Sequence, residues 1–88
     1  MILHHGLLRY SVEDHELEGS LGETDYARHI IKIDTRVTDQ ARQLTLVHEA
    51  LHAFCPWLEE KEVEQLTGPV FALISENHEF TDYIQARQ

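Results

Sequence analysis

Cysteine is almost missing from this sequence: Cys55 stands alone, so no disulfide can close within the chain. That matters at 88 residues, a length that suggests one domain and buries too little surface to be more than marginally stable unaided. Disulfides, metal ions and oligomerisation are the usual supports at this size. With the first excluded, a metal or a second subunit is worth seeking, and a monomer or small homo-oligomer is expected. A lone cysteine also suits a reducing compartment, so a cytoplasmic location is expected. Basic residues are scarce, 7 Lys and Arg against 16 Asp and Glu. The net charge of −9 would repel a phosphate backbone and argues against nucleic acid as a partner. No apolar run approaches the ~18 residues that would cross a membrane, so no membrane partner is expected. Residues 1–10 lack the positively charged start and long apolar stretch of a signal peptide. Repeats, low-complexity tracts and Pro/Ser-rich linkers are missing too, so residues 1–88 read as a single domain.

What is present falls into two regimes of periodicity. The first third reads as strands. Residues 7–12 carry branched and aromatic side chains and end at a turn expected at Glu13-Asp14, and a second extended piece is expected over 16–21. Gly22-Glu23-Thr24-Asp25 has loop composition. The sequence His-Ile-Ile-Lys-Ile-Asp over 29–34 is the best strand, because isoleucine suits a pleated, half-buried surface. Together these predict a small, mostly antiparallel sheet. After Thr38, a plausible N-cap followed by Asp39 in the first turn, the period changes to that of a helix. Leu44, Val47, Leu51, Phe54 and Cys55 form one face, and Pro56 closes it. A second helix is expected to start near Leu58 or Glu59 and to bury Val63, Leu66, Val70, Leu73 and Ile74. Gly68-Pro69 should kink or split it, and Asn77 should stop it. A last short helical turn is expected over 79–87. The expected class is α+β.

The chemistry concentrates in His48-Glu49-Ala50-Leu51-His52. Four residues along a helix is about 6 Å of rise and roughly 40° of rotation, so both imidazoles project from one face and can converge on one ion. Both fall within the apolar stripe, and inward-facing histidines need partners, which a metal supplies. Glu49 lies about 100° round from His48, flanking the ion instead of binding it, which suits a general base acting on metal-activated water. The competing reading is a pair of core histidines satisfied by backbone carbonyls. A catalytic zinc has three protein ligands and one open position. Cys55 lies about 10.5 Å along the axis from His48, too far for one straight helix to bring all three together, and reads as a small core residue. Glu59, Glu60, Glu62 and Glu64 open the next helix. If Val63, Leu66 and Val70 face the core, Glu62 is the favoured third ligand and Glu59 its rival, the remaining acids being solvated and favourable to the helix dipole. His4, His5, His15, His29 and His78 have no partner at ligand spacing and read as surface or hydrogen-bonded groups. Trp57 is expected to cover the turn between the helices.

Residues 21–80 resemble the compact zinc metallopeptidases related to the ImmA/IrrE family, especially small phage-encoded forms. The similar stretches are Leu21-Gly22-Glu23-Thr24-Asp25-Tyr26, Ile31-Lys32-Ile33-Asp34, Leu44 to Ala53, Glu60-Lys61-Glu62-Val63 and Ser75-Glu76-Asn77-His78-Glu79-Phe80. The resemblance implies that His48, His52 and Glu62 bind Zn2+, that Glu49 is the base, and that a twisted sheet packs on the motif helix with the zinc cleft between helix and sheet edge. It departs from the family in its short link from His52 to Glu62 and in Gly68-Pro69. The activity so implied is a zinc-dependent endopeptidase acting on a protein or peptide substrate. That substrate is expected to add as a strand along residues 29–34, with Tyr26 or Tyr83 a candidate oxyanion donor. Two other readings remain open: a regulatory or binding module with structural zinc, and an oligomeric structural protein whose metal is incidental.

Overall fold

The computed structural model describes residues 1–86. Four strands come first: β1 (Ile2–His5), β2 (Leu8–His15), β3 (Gly22–Asp25) and β4 (Ile30–Asp34). Three helices follow: α1 (Asp39–Phe54), α2 (Glu60–Ser75) and α3 (His78–Ala86). The strands form one mixed sheet in the order β1-β2-β4-β3, with β2 parallel to β4 and the other two pairings antiparallel. The expected α+β class and mostly antiparallel sheet are therefore present. No helix among the described residues is long and apolar enough to cross a membrane.

Strand boundaries follow pairing more than composition. β1 and β2 are joined through Gly6 and Leu7, and Gly6 supplies the positive φ of 61° that tight hairpins demand. β2 does not turn at Glu13-Asp14 as expected. It continues to His15 because β4 pairs with it there, setting Glu13 opposite Lys32. The segment 16–21, expected to be extended, is instead the loop that carries the chain past the end of β4 to the far edge. The stretch Gly22–Asp25, expected to be a loop, is strand β3. β3 turns through Tyr26-Ala27-Arg28-His29 into β4, with the Asp25 carboxylate accepting from the Arg28 N–H at 3.0 Å and His29 at a φ of 55°.

Ile31 and Ile33 of β4 are completely enclosed, and with Tyr10, Val37 and Ala53 they form the core. Leu3, Leu8, Val12, Leu46, Ala50 and Phe54 pack around them. α1 lies on this sheet against β3 and β4, α2 packs on α1, and α3 on α2. α1 is thus enclosed from two directions. Its most buried positions are Thr45, Glu49 and Ala53, while the expected stripe of Leu44, Val47, Leu51, Phe54 and Cys55 is half-buried. Thr38 occupies the N-cap position with extended backbone, but its side chain makes no capping hydrogen bond.

α2 runs unbroken through Gly68-Pro69, where a kink or split was expected. The carbonyl that Pro69 leaves without a donor belongs to Gln65; both residues are exposed, so water can satisfy it. Val63 is fully buried, but Leu66, Leu73 and Ile74 are exposed, contrary to the sequence expectation. Trp57 does not cover the inter-helix turn, being 75% exposed. The final helix expected over 79–87 is α3; Arg87 lies outside the described residues.

The loop 16–21 is held by one polar cluster. Asp34 is buried, and its carboxylate accepts from Arg36 Nε at 2.9 Å, from an Arg36 terminal nitrogen at 2.5 Å and from the Arg36 backbone N–H at 3.0 Å. The same guanidinium donates to the carbonyl of the buried Leu17, and the Asp34 N–H donates to the Leu21 carbonyl at 2.9 Å. The Arg36 hydrogen bonds lower the Asp34 pKa to about 2. A carboxyl lowered in the folded state contributes stability above its unfolded pKa and loses it as pH falls toward the folded value. Arg36→Ala should therefore lower the Tm at neutral pH, and thermal melts across the acid range should show the gap from the parent closing between about pH 4 and about 2.

Candidate metal centre

α1 presents His48 and His52 one turn apart at the margin of its buried surface, their side chains 24% and 17% exposed. Their ring centroids are 4.9 Å apart at an interplanar angle of 70°. Both turn Nε2 toward the first turn of α2. There Glu60 Oε1 lies 2.9 Å from His48 Nε2, and Glu60 Oε2 lies 2.8 Å from His52 Nε2. One donor atom from each of the three residues lies within 4.8 Å of the others, so His48, His52 and Glu60 could hold a metal ion. Thr67 donates its hydroxyl to the Val63 carbonyl at 2.7 Å, which leaves its oxygen facing His48 Nδ1 across a long 3.5 Å contact. A proton on Nδ1 suits that contact and leaves Nε2 bare for a metal.

The expected third ligand, Glu62, is not at the centre, and neither is its rival Glu59. They cap α2: the Glu59 carboxylate accepts from the Glu62 N–H, and Glu62 Oε1 accepts from the Glu59 N–H at 2.9 Å. This reciprocal arrangement satisfies donors that every helix start leaves bare. Glu60 reaches the histidines because it stands on the same side of α2 as Val63 and Thr67, a spacing of three and then four, at the solvent rim of that face with its side chain 60% exposed. Val63 and Thr67 are the buried residues of the helix. The apolar set Val63-Leu66-Val70 pointed elsewhere, since Leu66 is 39% exposed. The spacing of Glu60 to the small, hydroxylated Thr67 was the signal available in the sequence.

Glu49 is 7% exposed and points at β3. Thr24 donates its hydroxyl to Glu49 Oε1 at 2.8 Å, with Glu49 O at 3.1 Å. Glu49 Oε2 is 4.0 Å from His48 Nε2, so the carboxylate borders the centre without joining it. Gly22 makes this approach possible. A Cβ there would stand 2.7 Å from Thr45 Cγ2, 3.0 Å from Glu49 Cγ and 3.2 Å from the Lys32 carbonyl oxygen. A cleft of about 470 Å³ opens over the centre, lined by Leu21, Gly22, Leu44, Glu49 and Thr67 among others.

Neither tyrosine singled out as an oxyanion donor is among the residues lining this cleft. Tyr26 donates its hydroxyl to the His52 carbonyl at 3.2 Å, and burial followed by the nearby Tyr10, Glu49 and Glu60 raises its pKa. Tyr83 lies on α3 and is exposed. Residues 29–34, expected as the docking edge, are not an edge: β4 is paired on both sides, and the sheet edge beside the cleft is β3. Of the other histidines, His15 pairs with Glu13 at 2.9 Å and His29 stacks on Tyr10 at 4.8 Å. No family model, curated protein or solved structure matches the chain.

Two outcomes follow from this geometry. Glu60→Gln should weaken metal binding by more than the ~10–100-fold that loss of an outer-shell partner costs, while Glu62→Ala, which removes the acceptor of the Glu59 N–H, should leave affinity near that of the parent and lower only thermal stability; chelator competition and melting separate the two. Gly22→Ala should destabilise the fold by about 1–3 kcal/mol through overpacking. Adding Thr45→Ser, which removes the Cγ2 in the way, should recover part of that loss in chemical denaturation.

Proposed function

We propose that the protein is a zinc-dependent endopeptidase. The observation that carries this reading is the convergence of His48 Nε2, His52 Nε2 and a Glu60 carboxylate oxygen beside a buried glutamate that is not itself part of the set. Two imidazoles and a carboxylate are a customary donor set for catalytic zinc, and three protein ligands leave one position open. The cleft over the centre gives that position access to solvent and to a peptide. A structural zinc site is normally closed by four protein ligands, and the described residues offer three. The binding-module reading is disfavoured on that ground. The resemblance to the ImmA/IrrE peptidases supports the same view, with Glu60 in place of Glu62 as the carboxylate from the following helix.

A zinc ion bound there would supply a Lewis acid that acidifies water and polarises a carbonyl. The chain's own residues supply the rest. His48 and His52 are held at one pitch by α1, and Glu60 is brought to them by the capped start of α2. Glu49, with Oε2 on the side of His48, takes the proton from the attacking water and returns it to the departing amine. A peptide would lie along the free edge of β3, where unpaired backbone groups can add one more strand. Leu21 and Leu44 give the cleft apolar wall for a substrate side chain.

Glu49→Gln tests the reading directly, because it preserves shape and removes the base. The variant should bind zinc as the parent does and lose roughly 10²–10⁴-fold in peptide hydrolysis. A variant that cleaves a mixed peptide library as fast as the parent, or a parent that cleaves nothing when loaded with zinc, would remove the proposal.

A further inference from the structure

The general base of the proposed reaction sits on a helix, but the contacts that orient it come from the sheet. Gly22 and Thr24 are two residues apart on β3 and therefore share a face, the one turned toward α1. Gly22 brings the strand so close that the missing Cβ would press on Glu49 Cγ. Thr24 then reaches Glu49 from the neighbouring same-face position, its hydroxyl 2.8 Å from Oε1. An ionised carboxylate only accepts hydrogen bonds, so the hydroxyl is the donor. The terminal torsion of glutamate is broad and roughly two-fold. A carboxylate on that torsion without a partner would sample orientations in which neither oxygen is aimed at the metal centre. With Oε1 tied to β3, Oε2 is the oxygen left on the side of His48 Nε2, 4.0 Å away.

We infer that Thr24 is a positioning residue for Glu49: its hydroxyl holds one carboxylate oxygen so that the other is presented to the reacting water. The inference rests on the peptidase reading for its catalytic consequence. The same strand offers its outer edge to a peptide, so the element that receives substrate also aims the base.

The test compares Thr24→Val, which keeps shape and removes the hydroxyl, with Thr24→Ser, which keeps the hydroxyl; Thr24→Ala substitutes for the valine variant if that one does not fold. Zinc-loaded full-length proteins are assayed on a quenched-fluorescent peptide library, zinc affinity is read by chelator competition, and the Glu49 side-chain carboxyl is followed by carbon-13 NMR in metal-free protein. Thr24→Val should lower kcat by about 10–100-fold, the scale on which misplacement of a catalytic group acts, with KM and zinc affinity unchanged. Thr24→Ser should restore kcat to near the parent value. The Glu49 carboxyl resonance should move in the valine variant and stay in place in the serine variant. The inference is overturned if valine leaves kcat and the resonance unmoved, if serine is as impaired as valine, or if zinc affinity falls in step with kcat. Should the parent cleave no peptide, the peptidase reading falls alone, and the NMR comparison still decides whether Thr24 holds Glu49.

Discussion

The close approach of β3 to α1 at Gly22 is the contact on which the arrangement of the centre depends. A helix packed on a sheet normally stands off by the depth of a side-chain layer. Here one residue without a Cβ lets the strand edge come within van der Waals range of Thr45 and Glu49. Several features follow from that contact. Glu49 can be buried, because a hydroxyl on the adjacent strand position satisfies it. The adjoining face of α1 is left to α2, so the histidines, about 100° (His48) and about 60° (His52) round the helix from Glu49, emerge at the seam between the helices and not under the sheet. Glu49 and the two histidines thus occupy adjoining faces of one helix, the first turned to β3 and the others to α2, and come together where the cleft opens, with Glu49 Oε2 4.0 Å from His48 Nε2.

How much of this was legible depended on whether a feature is local or arises from packing. The His48-Glu49-His52 spacing is a property of one helix, and the helix was legible from its period and from Pro56. β4 was legible because three isoleucines in five positions have few other uses. β3 was not, because its four residues are of turn-forming or polar type and become a strand only through pairing with β4. The carboxylate expected from α2 is Glu62, and the structure brings Glu60 to the histidines instead, for a related reason. The helical spacing of Val63, Leu66 and Val70 places the inner face of α2 away from Glu60, but Leu66 is exposed. A domain this small cannot cover every apolar side chain, so the leucines and isoleucines of α2 are a poor guide to its inner face. Thr67 and Val63 mark that face instead, and a buried threonine bonded to its own helix carries little signal in composition.

Stability and the proposed chemistry bear on the same few elements. The enclosed residues are few, and the second helix touches the rest of the fold mainly through α1. A metal bridging α1 and α2 through His48, His52 and Glu60 would therefore tie the helical layer together as well as complete a reactive centre. With no disulfide possible, that cross-link would fill the place a covalent staple takes in other small domains. On this view the metal-free chain should retain its sheet and α1, whose packing rests on Ile31, Ile33 and Ala53, more firmly than it retains α2.

The run of acids at the start of α2 shows how neighbouring residues of one type can be divided among unrelated tasks by helical geometry alone. Glu59 and Glu62 are three apart and face each other across the first turn, so each can answer the other's backbone N–H. Glu60 is rotated about 100° from Glu59, out of reach of those donors and toward α1. Each role depends on the other. The capping pair fixes where the helix begins, and the first turn must be in place before Glu60 can stand opposite two imidazoles. Displacing the helix start by one residue would put Lys61 or Glu59 at the inward position. Lys61 would bring a cation to a site that needs an anion, and Glu59 would be drawn from the cap it forms. Nothing in the acidic character of the segment distinguishes these outcomes; the three-then-four spacing from Glu60 to Val63 and Thr67 does.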